Sequence, residues 1–251
     1  MKIKLIDILI YLLLFIFVVS LPVDRLNLPV DYELDILIGL RAALLIFFVL
    51  VIWKNKINLL SKSLFKEILL FLPFFIICFN NFIASFISGG FYPSNNGYIL
   101  FLEIFLCLIS AILEEVVFRI LIQNALVNKT PLLRIVLSAL IFSLCHLINI
   151  VNARSVGAII NLLFQTLYTF GLGLIIAFIY EYTRSFITVV LLHFFFNLLN
   201  SVLYGFLGGF SSSLAFILTS LIMAFLAASY GVMLYLVKFR KLDIKEQNNN
   251  L

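Results

Sequence analysis

Apolar runs of spanning length recur along this 251-residue chain, and they leave few folds open to it. Eight segments, 4–21, 34–53, 67–87, 98–127, 131–151, 156–180, 185–204 and 212–237, are mostly apolar. Each reaches or approaches the roughly 20 residues a helix needs to cross a bilayer. Composition agrees: 64% of the residues are hydrophobic and only 12% charged, against about a half and a quarter in soluble domains. The expected fold is all-α, a polytopic membrane protein with about eight transmembrane helices in a bundle. Turn signals separate the runs: Pro22, Pro29, Gly89-Gly90, Pro93, Gly97, Thr130-Pro131, Gly205 and Gly208-Gly209. The fourth run is long for one span, which predicts tilt or extension past the membrane. The chain divides accordingly: residues 1–97 carry the first three spans, 98–205 a core of four, and 206–251 the last span and a polar tail.

The charges report orientation. With the N-terminus inside, Lys2, Lys4, Lys54, Lys56, Lys62, Lys66, Lys129, Arg134, Arg184, Lys238, Arg240, Lys241 and Lys245 all fall on the cytoplasmic side. Only Arg25 and Arg154 fall outside, and Arg41 and Arg119 lie within spans. This asymmetry places both termini in the cytoplasm. It also accounts for the net charge of +5 as a topology signal, so no nucleic-acid partner is implied. The first run follows two lysines but lacks a small-residue cleavage pattern in Val18-Val19-Ser20-Leu21-Pro22, so it reads as a retained span. Cys78, Cys107 and Cys145 are dispersed within apolar runs and read as small buried hydrophobes.

Ionisable residues inside such runs are costly and mark functional sites. The fourth run holds Glu114, Glu115 and Arg119; the fifth holds His146; the seventh holds His193. Glu115 and Arg119 are four apart and share a helix face, so they are expected to pair. Glu114, about 100° away, is left to face a cavity. Two carboxylates and one guanidinium leave one negative charge, which low dielectric requires a proton or a cation to balance. A general base or a metal ligand are the two outcomes. His193 and Asn197 are again four apart, as are Phe142 and His146, with Phe142 expected to wall the site. Arg41 and Glu103, both in the outer third of their spans, read as an interhelical pair. Ser110 reads as bonded to a backbone carbonyl, and Gly171 and Gly173 as points of close helix contact.

Taken together, Glu114-Glu115-x-x-x-Arg119, Phe142-x-x-x-His146 and His193-x-x-x-Asn197 resemble the motifs of the CPBP family of intramembrane proteases. That family includes the type II CAAX prenyl proteases and the bacterial Abi proteins. The resemblance covers about residues 98–205. It implies an eight-helix bundle that cleaves peptide bonds within or near the membrane, with a membrane-associated, peptide or lipidated-peptide substrate. It assigns Glu114 as general base, His146 to the water, His193 and Asn197 to the oxyanion, and Glu115 with Arg119 to orienting the span. Family members are labelled metalloproteases, and a metal-free glutamate mechanism is the rival. Zinc held by Glu114, His146 and His193 with an open water position is one route; Glu114 acting alone on water is the other.

Other chemistries fit less well. There is no His-Glu-x-x-His helix, no Asp between Asp35 and Asp243 to build an aspartyl dyad, and no Gly-x-Ser-x-Gly elbow. Two readings without proteolysis stand beside the enzyme. One is a membrane immunity or scaffold protein of the same family. The other is an ion-coupled transporter, which predicts inverted repeats or broken helices.

Overall fold

The computed structural model describes residues 5–55, 73–74, 77–79, 96–153, 155–202 and 213–236. Seven helices run through these residues, and no strand occurs among them. They are α1 (Leu5–Val19), α2 (Val30–Lys54), α3 (Gly97–Glu115), α4 (Pro131–His146), α5 (Val156–Thr183), α6 (Phe186–Asn197) and α7 (Ser213–Leu234). The expected third span, 67–87, lies outside the described residues except at 73–74 and 77–79. The described helices therefore number seven where the apolar runs suggest eight.

Each start within the core has a local cause. Asn96 accepts hydrogen bonds from the backbone N–H groups of Tyr98 and Ile99. Thr130 caps Leu133 ahead of Pro131, whose missing N–H costs nothing in a first turn. Ser155 and Ser185 cap α5 and α6 through Ala158 and Thr188. Helix α5 ends on Arg184 in the left-handed region, φ 53°.

Two helices change pitch where the sequence gives no warning. Past Glu115, α3 continues from Val116 to Gln123 as wide, π-type turns, and α6 continues likewise over Leu198–Val202. Such turns gather at functional sites because they re-aim side chains without ending the helix. In α3 the change begins directly after the paired carboxylates. The fifth run also changes: α4 gives way to a tight 3₁₀ stretch over Leu147–Asn152.

Among the described residues, five stretches are long and apolar enough to cross a membrane: Ile6–Leu26, Val30–Lys54, Pro131–Val151, Val156–Thr183 and Ile217–Leu234. With the shorter apolar helix Phe186–Asn200 beside them, they describe a multi-pass membrane protein. Helix α3 is not among the five. It carries Glu103, Glu114 and Glu115, with Arg119 just beyond. Its polar load instead faces inward, since Glu115, Arg119 and Gln123 are fully buried.

Helices in lipid gain little from hydrophobic association with one another, so close packing and interhelical hydrogen bonds hold them. Helix α5 packs against α4 on one side and α7 on the other. Gly171 and Gly173 make this possible. A Cβ built on Gly171 meets the Cβ of Ala227 on α7 at 2.8 Å. One on Gly173 meets Phe142 Cδ1 at 3.0 Å and Ala139 Cα at 3.2 Å on α4. Both glycines therefore serve close contact, as their spacing suggests.

Candidate active site

Helix α3 presents two polar faces. Glu103, Cys107, Ser110 and Glu114 follow one another at four, three and four residues and line a cavity of about 720 Å³. Glu115, Arg119 and Gln123 form a second stripe on a buried face. Helix α2 adds Arg41 to the cavity, α4 adds Phe142, Cys145 and His146, and α6 adds His193 and Asn197. Gln165, Tyr168 and Thr169 of α5 complete the polar lining, with Asn149 and Asn200 from the segments after α4 and α6. The volume falls in the range of small-molecule and cofactor pockets, ~300–1,000 Å³.

All four proposed catalytic side chains border this one space. Glu114 keeps 16% of its side chain exposed there. His193 is fully buried. Its Nδ1 stands 2.7 Å from Glu115 Oε1, and its Nε2 stands 3.6 Å from Glu114 Oε2. One imidazole thus bridges the two neighbouring carboxylates. His146 Nδ1 lies 3.0 Å from the carbonyl oxygen of Phe142, to which it donates as an Nδ1–H tautomer. In both rings Nδ1 is occupied, which fixes ring orientation and leaves Nε2 as the remaining polar atom.

Phe142 stands between the imidazoles. Its ring packs edge-on against His146 at 4.9 Å and His193 at 5.8 Å between centroids. The Arg119 guanidinium covers the same ring at 5.6 Å. Gly173 supplies the space that lets Phe142 sit there.

The buried stripe holds this arrangement in place. Arg119 Nε donates to Glu115 Oε2 at 2.9 Å, the pairing that their spacing predicts. Its NH1 group donates to Ser138 Oγ at 2.8 Å, and that hydroxyl donates in turn to the Phe118 carbonyl. Gln123 donates to Glu181 on α5. Glu181 also receives Arg134 and Arg184. Arg134, Ser138, Phe142 and His146 recur every fourth residue along α4, so one face of that helix carries the whole polar seam. This recurrence is the signal that would have found Ser138 and Arg134 in the sequence.

One sequence expectation is corrected. Arg41 and Glu103 both line the cavity, but they form no ion pair. Arg41 donates to Ser110 Oγ instead. Equal depth in two spans does not fix azimuth, and the hydroxyl two turns along α3 faces Arg41. Ser110 keeps its expected bond to the Leu106 carbonyl at 2.6 Å.

Glu114, His146 and His193 are donor types that zinc accepts. As arranged, no three His, Cys, Asp or Glu side chains among the described residues form a metal-holding group.

Residues 96–199 match the family model described as "Type II CAAX prenyl endopeptidase Rce1-like". The match spans α3 to α6, the helices that carry every motif residue above, and it supports a CPBP/CAAX protease family assignment. No curated protein and no solved structure matches the chain.

Proposed function

We propose that the chain is an intramembrane endopeptidase that hydrolyses a peptide bond of a membrane-associated peptide or protein, using water activated by Glu114. The observation that carries this reading is the division of labour between adjacent carboxylates. Glu115 is committed to Arg119 and His193, whereas Glu114 faces a cavity that also holds His146, His193 and Asn197. A carboxylate that borders open space, with His193 Nε2 no nearer than 3.6 Å, is available to accept a proton.

Charge balance assigns the remaining proton. Arg41 and Arg119 set two positive charges against the three carboxylates Glu103, Glu114 and Glu115, which leaves one negative charge in excess. His193, between both carboxylates, is the group placed to hold the balancing proton. As an imidazolium it donates through Nδ1 to Glu115 and through Nε2 toward the cavity. In the reaction, Glu114 takes a proton from water, and His146 orients that water through Nε2. The hydroxide attacks the scissile carbonyl. His193 Nε2–H and the Asn197 amide donate to the oxyanion. Glu114 then returns the proton to the leaving amine. If zinc binds Glu114, His146 and His193, it supplies Lewis-acid polarisation of the water.

The family match favours a CAAX-type substrate, and the apolar surround favours a lipidated peptide. Lysine and arginine placement supports both termini on the cytoplasmic side. Purified protein in lipid nanodiscs is tested on prenylated and unlipidated peptides, with metal analysis of the same sample. Glu114→Gln, His146→Ala and His193→Ala are each expected to lower cleavage at least about 100-fold. Full cleavage by folded Glu114→Gln protein would reject the glutamate base. Stoichiometric zinc with loss of activity in chelator would select the metal route. A cellular phenotype that survives Glu114→Gln would select the immunity or scaffold reading.

A further inference from the structure

Among the residues lining this cavity, Arg41 carries the one guanidinium, and the hydrolytic scheme does not use it as a reacting group. It stands on α2, outside the stretch 96–199 that carries the family match. Its one hydrogen bond goes to Ser110 Oγ, one turn from Glu114 on α3. Its Nε is buried without a partner. It forms no ion pair with Glu103 or Glu114, although both line the same space. A guanidinium has five N–H donors and no acceptor, so most of its capacity is unspent. An unpaired cation inside a membrane bundle marks the pathway of an anionic or polar ligand. A planar fork bound to a hydroxyl one turn from the proposed base matches a carboxylate, which it can take bidentately.

We propose that Arg41 is a specificity residue that receives a carboxylate of the peptide substrate, held ready by Ser110. This rests on the peptidase reading, because it takes the cavity as the peptide's seat. The carboxylate comes either from the free C-terminus of the peptide or from an acidic side chain near it. Ser110 donates to Leu106 and accepts from Arg41 NH1, so the guanidinium is held at one nitrogen while the side chain lines the cavity. Its positive charge so close to Glu114 also suits an anionic group there, which Glu114 alone would repel.

Binding, with no turnover needed, tests the idea. The full chain carrying Glu114→Gln is prepared in nanodiscs. The probe is a fluorescently labelled peptide, S-farnesyl-cysteine followed by three apolar residues, made as the free acid and as the C-terminal amide. A third form is the amide with Glu as its last residue. The free acid is expected to bind about tenfold more tightly than the plain amide. Arg41→Gln should bring that ratio near one, and Arg41→Lys should restore part of it. Ser110→Ala should reduce it. Recovery of tight binding by the Glu-ended amide would identify a side-chain carboxylate as an accepted source. Equal binding of acid and amide, no measurable binding of either, or a ratio unchanged in folded Arg41→Gln protein would each overturn the proposal. If Arg41→Gln does not fold, the Arg41→Lys and Ser110→Ala ratios decide. Cleavage assays on Glu114 variants are separate, so a failed peptidase reading and a failed carboxylate receptor give different results.

Discussion

Glu114 and Glu115 are neighbours in the chain and occupy opposite worlds. Glu115 has no exposed surface and is bound to Arg119 and His193. Glu114 looks into the cavity, with His193 Nε2 at 3.6 Å. About 100° of helical rotation separates a buried carboxylate with two partners from one that lines the cavity. The dry stripe Glu115–Arg119–Gln123 and the cavity face Glu103–Ser110–Glu114 thus separate a buried, bonded face from an open one along a single helix.

Exchanging the two carboxylates one at a time is the sharpest way to break that division. Glu114→Gln should abolish cleavage while leaving thermal unfolding in detergent unchanged. Glu115→Gln should do the reverse first. It leaves Arg119 and His193 buried without their anion, which costs about 3–5 kcal/mol. Unfolding curves read this directly, and a Glu115→Gln protein as stable as its parent would dissolve the distinction. The two glycines of α5 give a smaller and more selective contrast. Gly171→Ala and Gly173→Ala each force a close contact, at about 1–3 kcal/mol. Only the second presses on Phe142, so only it should also slow cleavage per folded molecule. Equal activity in both variants would show that Phe142 does not set the positions of the imidazoles. The smallest effect belongs to Ser138→Ala. Losing this neutral partner of Arg119 should lower stability by about 1 kcal/mol and leave the acid-over-amide binding ratio of the Arg41 site untouched.

The sequence carried the helices well because hydropathy over a span is a sum of many residues. The runs at 34–53, 131–151 and 156–180 lie within a few residues of α2, α4 with its 3₁₀ extension, and α5. Spacing also carried the Glu115–Arg119 pair, which depends on one helix alone. What escaped were relations between helices. The bridge from Glu115 to His193 joins residues 78 apart. The Arg41 hydrogen bond joins residues 69 apart, and expectation had given it to Glu103. Depth along a span can be counted from the sequence, but rotation about the axis of a partner helix cannot. The π-type turns after Glu115 and Asn197 were equally invisible, since Val116–Gln123 contains neither Pro nor Gly to announce a change of pitch.

That α2 supplies a wall of the cavity has an evolutionary consequence. Arg41 on α2 and the residues of α3 to α6 that share its cavity belong to different stretches of the chain. If the cavity is the peptide's seat, selection can alter which peptides are admitted by changing α2 while the proposed hydrolytic residues of α3 to α6 stay constant. Grafting a foreign second helix onto this core is the natural route to a new preference.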